Sequence, residues 1–226
     1  MAEGPDTGFD PATFHRDGNV SRETRAAFET YESTLKIWQK AVNLVGPSTL
    51  DEIWRRHFLD SAQLAPFIPT RADGGPPVIL DIGSGAGFPG MVLAILSATG
   101  AVAAPGFDVH LVEANARKCA FLKEIARLTG ARVTVHQCRV ESLNPFPVDV
   151  VTARGCAPLP RLLDLVGNFL GDPHIFPICL FLKGKNAREE LTLALKSWKM
   201  TAEIFTSMTD AEGVVLLLKD IAREQF

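Results

Sequence analysis

The sequence predicts an α/β protein built on a doubly wound, mostly parallel sheet, and three observations predict it. From residue 78 onward, short apolar runs alternate with amphipathic segments of about a dozen residues, the pattern of parallel strands joined by crossover helices. The first run, Val78-Ile79-Leu80-Asp81-Ile82, breaks directly into Gly83-Ser84-Gly85-Ala86-Gly87-Phe88-Pro89-Gly90, which reads as a buried strand entering a tight turn and then a helix. The second run ends in Glu113, where folds of this kind carry an acid that holds a ribose.

Taken in order, residues 1–20 mix Gly4, Pro5, Gly8, Pro11 and Gly18 with acids and few aliphatics, and are expected to form a poorly ordered leader. Ser21 is a good helix N-cap with Glu23 in the first turn. Apolar residues then recur at Phe28, Tyr31, Leu35, Trp38, Val42 and Val45, so one amphipathic helix is expected, ended by Gly46-Pro47. A second helix opens at Thr49 with Glu52 three residues on, a capping-box pattern, and runs to about residue 65 before Pro66. These helices make an N-terminal helical extension, 21–70, followed by a Gly/Pro-rich linker and the sheet domain, 77–226. Within that domain the expected order is helix 91–98, strand 108–112, helix 115–128 with a basic face, strand 132–136 and strand 148–153. Helix 158–170, strand 175–182, helix 187–198 and a closing strand pair, 202–208 with 214–219, complete a seven-stranded sheet.

Composition narrows the function classes. Apolar residues make up 46% of the 226, enough for a substantial core. The four cysteines, Cys119, Cys138, Cys156 and Cys179, lie far apart with no C-x-x-C pair, so they are expected to be reduced, buried thiols and no metal is expected. No stretch reaches the ~18 apolar residues of a membrane helix and none near Met1 resembles a signal peptide, so a soluble, cytoplasmic, monomeric protein is expected. A net charge of −3 leaves any nucleic-acid binding to a local basic surface.

The chemistry-bearing residues cluster at predicted strand ends. In the glycine turn the third glycine, Gly87, comes one residue earlier than in G-x-G-x-x-G, and this spacing favours S-adenosylmethionine over NAD. Gly83 and Gly85 free the backbone for positive φ and for close approach of a ligand to main-chain N–H groups. Glu113 is placed to accept hydrogen bonds from both ribose hydroxyls, and Val140-Glu141 to meet the adenine. Arg154, leaving the fourth strand, should sit over the cleft where a second substrate enters, bound to a methionine carboxylate or an RNA phosphate, since a guanidinium would repel the sulfonium. Lys183-Gly184-Lys185 occupies the equivalent place after the fifth strand and serves equally as a phosphate contact or a solvated loop. Arg55, Arg56, His57 and Asp60 fall within about one and a half helical turns. His57 beside Asp60 invites a general-base role, though packing is the commoner role of such a histidine. Phe58 and Phe88 are candidates for stacking an RNA base. Asn144-Pro145-Phe146 resembles the tetrad of amine methyltransferases but precedes the fourth strand instead of following it.

Together, Trp38, Asn43-Leu44, Arg56-His57-Phe58-Leu59-Asp60-Ser61, Asp81 to Gly90, Arg139-Val140-Glu141 and Phe181-Leu182-Lys183-Gly184 make the chain similar to the bacterial small-subunit ribosomal RNA guanine methyltransferases, the glucose-inhibited division protein B family. The resemblance runs from about Ser21 to the end. It implies a class I methyltransferase fold and transfer of a methyl from S-adenosyl-L-methionine to the N7 nitrogen of one guanosine in the decoding-region loop, within the small-subunit rRNA or the ribosomal subunit. It carries cofactor contacts to Gly83, Phe88, Val140, Glu141 and Arg154. Arg154 and Lys183 are then expected to position the reacting groups, and Arg55, Arg56 and Lys185 to bind RNA. Gly155 departs from the family's usual alanine, and the acidic leader is not part of its pattern. The alternatives are a non-catalytic nucleotide-binding regulatory protein and an NAD-dependent dehydrogenase, the latter disfavoured by the glycine spacing and by the lack of a separate substrate domain.

Overall fold

In the computed structural model, which describes residues 20–170 and 177–224, seven strands join one sheet. They are β1 (Val78–Ile82), β2 (Asp108–Val112), β3 (Val133–His136), β4 (Val150–Arg154), β5 (Ile178–Lys183), β6 (Trp198–Thr206) and β7 (Val214–Arg223), in the order β3-β2-β1-β4-β5-β7-β6. β1 pairs in parallel with both β2 and β4, and only β7 runs antiparallel to its neighbours. The chain winds outward from β1 through β2 to β3, then returns to β4 on the other side. The carboxyl ends of β1 and β4 therefore border the crevice where ligands sit in such sheets.

Side-chain alternation assigns the two faces. Ile79, Val109, Leu111, Val150 and Leu180 pack with Phe28, Tyr31, Leu35, Phe58, Met91 and Phe121, contributed by α1 (Arg22–Trp38), a π-helical stretch (Trp54–Leu59), α3 (Gly90–Ala98) and α4 (Ala116–Thr129). Leu80, Ile82, Val151, Ala153 and Phe181 pack on the opposite face with α5 (Leu159–Leu170) and with Ala194 of α6 (Ala187–Ala194). Strands buried on both faces read as continuous apolar runs, which is why they are visible in the sequence.

Several boundaries differ from expectation, each for a physical reason. Ser21 does cap α1, accepting from Thr24 N–H at 3.1 Å, but the helix stops at Trp38 rather than running on to Val45. Gln39 ends it by folding its side chain onto the adjoining loop: Nε2 donates to Val45 O (2.8 Å) and Oε1 accepts from Leu44 and Val45 N–H (2.9 and 3.1 Å). Thr49 caps nothing. Its hydroxyl donates to Gly46 O at 2.7 Å and meets His57 Nε2 at 2.8 Å, and the expected second helix is π-helical over Trp54–Leu59 before the short α2 (Asp60–Ala62). β6 starts at Trp198, inside the expected helix, because that indole is buried against the α5 face with Arg223 over it at 5.3 Å. All four cysteines are free, but Cys138 is half-buried and Cys156 exposed, so only Cys119 and Cys179 are the buried thiols expected. The leader, apart from Val20, and residues 175–176 of the expected fifth strand lie outside the described residues. Among the described residues no helix is long and apolar enough to cross a membrane.

Candidate active site

The glycine turn is held from below. Ser84 N–H donates to Val112 O (3.0 Å) and Ser84 Oγ to Asp81 O (2.9 Å), so the turn is tied to both β1 and β2. Gly83 has φ +64° and an added Cβ would stand 2.5 Å from Cys156 Sγ, and at Gly87 (φ +98°) it would stand 2.5 Å from Tyr31 Oη. These two positions admit glycine alone. Gly85 N–H donates to Glu113 Oε2 at 3.0 Å, while Glu113 Oε1 accepts from Asn115 N–H at 2.7 Å, where Asn115 caps α4. The carboxylate thus lies over the turn at the end of β2.

Beneath the turn Asp81 is fully buried. Its Oδ1 accepts from Thr152 Oγ1 at 2.9 Å and Oδ2 has no hydrogen-bond partner. Burial pushes its pKa up to about 6, against the lowering pull of Ser84, Thr152 and the Gly90 N–H. By sequence Asp81 is only an acid near the end of an apolar strand, and its place two residues before Gly83 is the one signal of this position.

Two clefts open at the carboxyl ends of the strands. One, of about 300 Å³, is lined by Gly83, Glu113, Cys138, Val140, Glu141 and Cys156. The other, of about 510 Å³, is lined by Asp60, Arg154, Lys183, Glu190, Ser207 and Asp210. Cys156 and Ala157 belong to both walls, so the clefts meet there. The residues expected from sequence divide between them: Gly83, Glu113, Val140 and Glu141 in the first, Arg154 and Lys183 in the second. Gly85 and Phe88 line neither.

The helical extension builds the wall behind Arg154. The Phe88 ring, 4% exposed, stacks between Tyr31 (5.5 Å, 12°) and His57 (4.8 Å, 14°), and the Arg154 guanidinium sits 4.7 Å from its centroid. Tyr31 Oη donates to Ala86 O in the glycine turn. Arg154 Nη1 donates to Arg56 O (2.8 Å) and Asp60 Oδ2 (3.1 Å), and Nη2 to His57 Nδ1 (2.6 Å). An arginine only donates, so Nδ1 is the acceptor and Nε2 carries the hydrogen shared with Thr49. Burial, then Arg154, then Arg56 lower the His57 pKa to about 3, so the ring is neutral and fully engaged. Asp60 Oδ1 accepts from Gln63 Nε2 (2.9 Å) and Thr209 Oγ1 (2.6 Å), joining this wall to the β6–β7 turn, a partnership no sequence signal announces.

Three expectations change accordingly. Phe58 and Phe88 are buried and present no face for a base to stack on. Arg154 lines the larger cleft as expected, but most of its guanidinium is enclosed by the wall behind it. Lys183 is not a solvated loop lysine, because Nζ donates to Ala157 O and pairs with Glu190, both at 2.7 Å. Arg55, Arg56 and Lys185 are exposed, with Arg56 3.7 Å from Asp210. Glu141 is exposed and paired with Arg161 at 2.8 Å.

This strand order, with one antiparallel strand near the edge and a glycine turn at the switch point, is the fold of the class I methyltransferases. The solved magnesium protoporphyrin IX methyltransferase (ChlM) from Synechocystis PCC 6803 with bound SAM superposes with a TM-score of 0.54 at 11% identity, covering 89% of this chain and 97% of that one. A SAM-dependent methyltransferase from Aquifex aeolicus gives 0.53 at 15% identity, covering 83% and 97%. The family model described as rRNA small subunit methyltransferase G, GidB, matches residues 24–217, and the chain belongs to that family. Among its relatives, the ribosomal RNA small subunit methyltransferase G of Rhodospirillum rubrum is 48% identical over 215 residues, 94% of this chain and 98% of that protein. The one from Rhodospirillum centenum is 47% identical over 218 residues, 96% and 94%. Family membership sets aside the dehydrogenase alternative.

Proposed function

We propose that this chain transfers a methyl group from S-adenosyl-L-methionine to the N7 nitrogen of a guanosine in the 16S rRNA of the small subunit, as a cytoplasmic monomer. The observation that carries the proposal is the pair of clefts meeting at Cys156 and Ala157: one ends in a glycine turn and a strand-end acid, and the other is walled by Arg154 and Lys183, each held by a carboxylate. In this assignment the 77–226 domain holds the cofactor and the 21–70 extension completes the substrate side.

S-adenosyl-L-methionine supplies an electrophilic methyl on a sulfonium. Gly83 lets the ligand approach the backbone, Gly85 takes the positive φ of the turn and holds Glu113 through its N–H, Glu113 accepts from the ribose hydroxyls, Val140 packs on the adenine and Glu141 lies beside its amine. Phe88 acts through the backbone of the turn and by supporting Arg154, because its ring is enclosed. Arg154 uses three of its five N–H donors on the wall, leaving two for the methionine carboxylate. Lys183, pinned to Ala157 O, fixes the floor where the clefts join.

Guanine N7 carries an in-plane lone pair and no proton at neutral pH, so no residue has to act as a base. The site's task is positioning, which can lower a barrier by several kcal/mol, and compensation of the positive charge that develops on the base. The test is tritiated-methyl transfer to naked rRNA, a partial particle and the whole subunit, with the product read by borohydride and aniline cleavage, which cuts at 7-methylguanosine. Label incorporated without such a cut would reject N7 as the acceptor.

A further inference from the structure

We propose that Asp210 reads the Watson–Crick edge of the target guanine and is the residue by which the site accepts guanine and refuses adenine. The inference rests on the proposed transfer to guanine N7. Both purines carry an N7 lone pair, so the nucleophile cannot discriminate between them. They differ beside N7, where guanine presents O6 and adenine the N6 amine, and on the opposite edge, where guanine presents the N1–H and N2–H donors and adenine an N1 lone pair. A site that reads the opposite edge needs an acceptor with a free lone pair on the side of the cleft away from the methyl.

With N7 at the wall shared by the two clefts, Cys156 and Ala157, the far side of the larger cleft is the β6–β7 turn, which contributes Ser207, Asp210 and Gly213. Three carboxylates line this cleft. Asp60 is taken up by Arg154, Gln63 and Thr209. Glu190 is neutralised by Lys183 at 2.7 Å and accepts the Leu159 N–H. Asp210 differs: its side chain is 44% exposed, Oδ1 accepts one N–H from Glu212 at 3.0 Å, and the cation nearest Oδ2 is Arg56 at 3.7 Å. That distance makes an exposed ion pair without a hydrogen bond, so among the described residues no N–H or O–H is bonded to Oδ2.

The turn that carries Asp210 is fixed before any ligand arrives. Ser207 N–H donates to Gly213 O and Gly213 N–H to Asp210 O, at 2.9 and 3.0 Å, and the turn is close-packed, since a Cβ added at Gly213 would press at 3.1 Å on the Cβ atoms of both Asp210 and Ser207. Thr209 is bonded to Asp60 at 2.6 Å and Met208 N–H to Gln63 Oε1 at 2.9 Å, so the Asp60 that fixes Arg154 also fixes this turn. A carboxylate held there accepts from N1–H and N2–H, faces the adenine N1 lone pair unfavourably, and offsets the charge that N7 methylation places on guanine.

The full chain is assayed on small-subunit rRNA, assembled by ligation, with guanosine, adenosine or inosine at the target; inosine keeps N7 and lacks the N2 amine. The parent should favour guanosine over adenosine at the same position by roughly 10- to 100-fold in kcat/KM, the range of one bidentate base contact, and over inosine, which keeps N1–H and loses one of the two bonds, by roughly 3- to 10-fold. Asp210→Asn, which turns one acceptor into a donor, and Asp210→Ala should each lose most of the guanosine rate and bring the guanosine-to-inosine ratio toward one. Calorimetric affinity for S-adenosyl-L-methionine should stay as in the parent. A ratio unchanged in both variants overturns the assignment, and so does lost cofactor affinity, which would make Asp210 structural. If the parent methylates no guanosine at all, the proposed activity itself fails and takes the role of Asp210 with it.

Discussion

A histidine packed between a phenylalanine ring and an arginine cannot hold a proton cheaply, and His57 is such a residue. Its pKa is lowered to about 3, so between the unfolded value near 6.5 and about 3 the unfolded chain binds a proton that the folded one refuses. Stability from this group is therefore complete above pH 6.5 and lost as pH falls through that window, by roughly a few kcal/mol in all. His57→Gln should remove this part of the acid sensitivity, read as a flatter plot of denaturant midpoint against pH. The same neutrality predicts that single-turnover transfer at saturating substrates is nearly level from roughly pH 6 to 8.5, where a histidine base would titrate. A unit-slope rise abolished in His57→Gln would mean that a base acts. Glycines make the second prediction at this scale. Gly85 has φ +57° but only Gly83 O, at 3.7 Å, near an added Cβ, so Gly85→Ala costs about 1–2 kcal/mol of backbone strain and leaves the fold intact. It should still weaken cofactor binding at least tenfold by calorimetry, as should Glu113→Ala. Gly87→Ala, which would collide with Tyr31 and Met91, should instead prevent stable folding.

Among the elements, α1 and the π-helical stretch matter to the site because they hold the glycine turn from outside the sheet. Tyr31 donates to Ala86 O, and its ring supports Phe88. Tyr31→Phe keeps the ring and leaves a buried carbonyl unpaired, at a cost of about 1–3 kcal/mol. The denaturant midpoint should fall accordingly and cofactor affinity should weaken; an unchanged affinity would mean that the turn keeps its shape without α1. The Tyr31 position in an apolar stripe is legible in the sequence, as are the central strands β1, β4 and β5, because strands buried on both faces leave an unbroken apolar signature. The hold of α1 on the turn is not legible, since a hydroxyl meeting a carbonyl far along the chain leaves no periodic trace. Gln39 is similar: a polar residue in a helical stripe looks like a solvated position until its side chain is seen capping Val45. The R-H-x-L-D-S stretch is recognisable as a motif, yet the Asp60–Thr209 bond cannot be deduced from spacing, because its partner lies on a turn far along the chain.

For the molecule as a whole the question is how a chain of net charge −3 holds a polyanion. Five cations, the three expected to bind RNA and the Arg154 and Lys183 that could also meet a phosphate, are candidates for the RNA surface, and burial divides them. Arg154 and Lys183 are enclosed and ion-paired with Asp60 and Glu190, so they release no counterions when RNA arrives. Arg55 and Arg56 on the π-helical stretch and Lys185 after β5 are exposed, and Arg56 borders the larger cleft through its approach to Asp210. Three phosphate contacts to a single strand give a slope of about −2 for log affinity against log salt, whereas five would give about −3.5. Filter binding of small-subunit rRNA across a salt series separates the two values. Reversing charge with Arg56→Glu and Lys185→Glu together should abolish methyl transfer and leave calorimetric affinity for S-adenosyl-L-methionine unchanged, since neither residue lines the cofactor cleft. A slope near −3.5 would require the enclosed arginine and lysine to swing out of their ion pairs on binding, and transfer that survives the double reversal would place the RNA on another face.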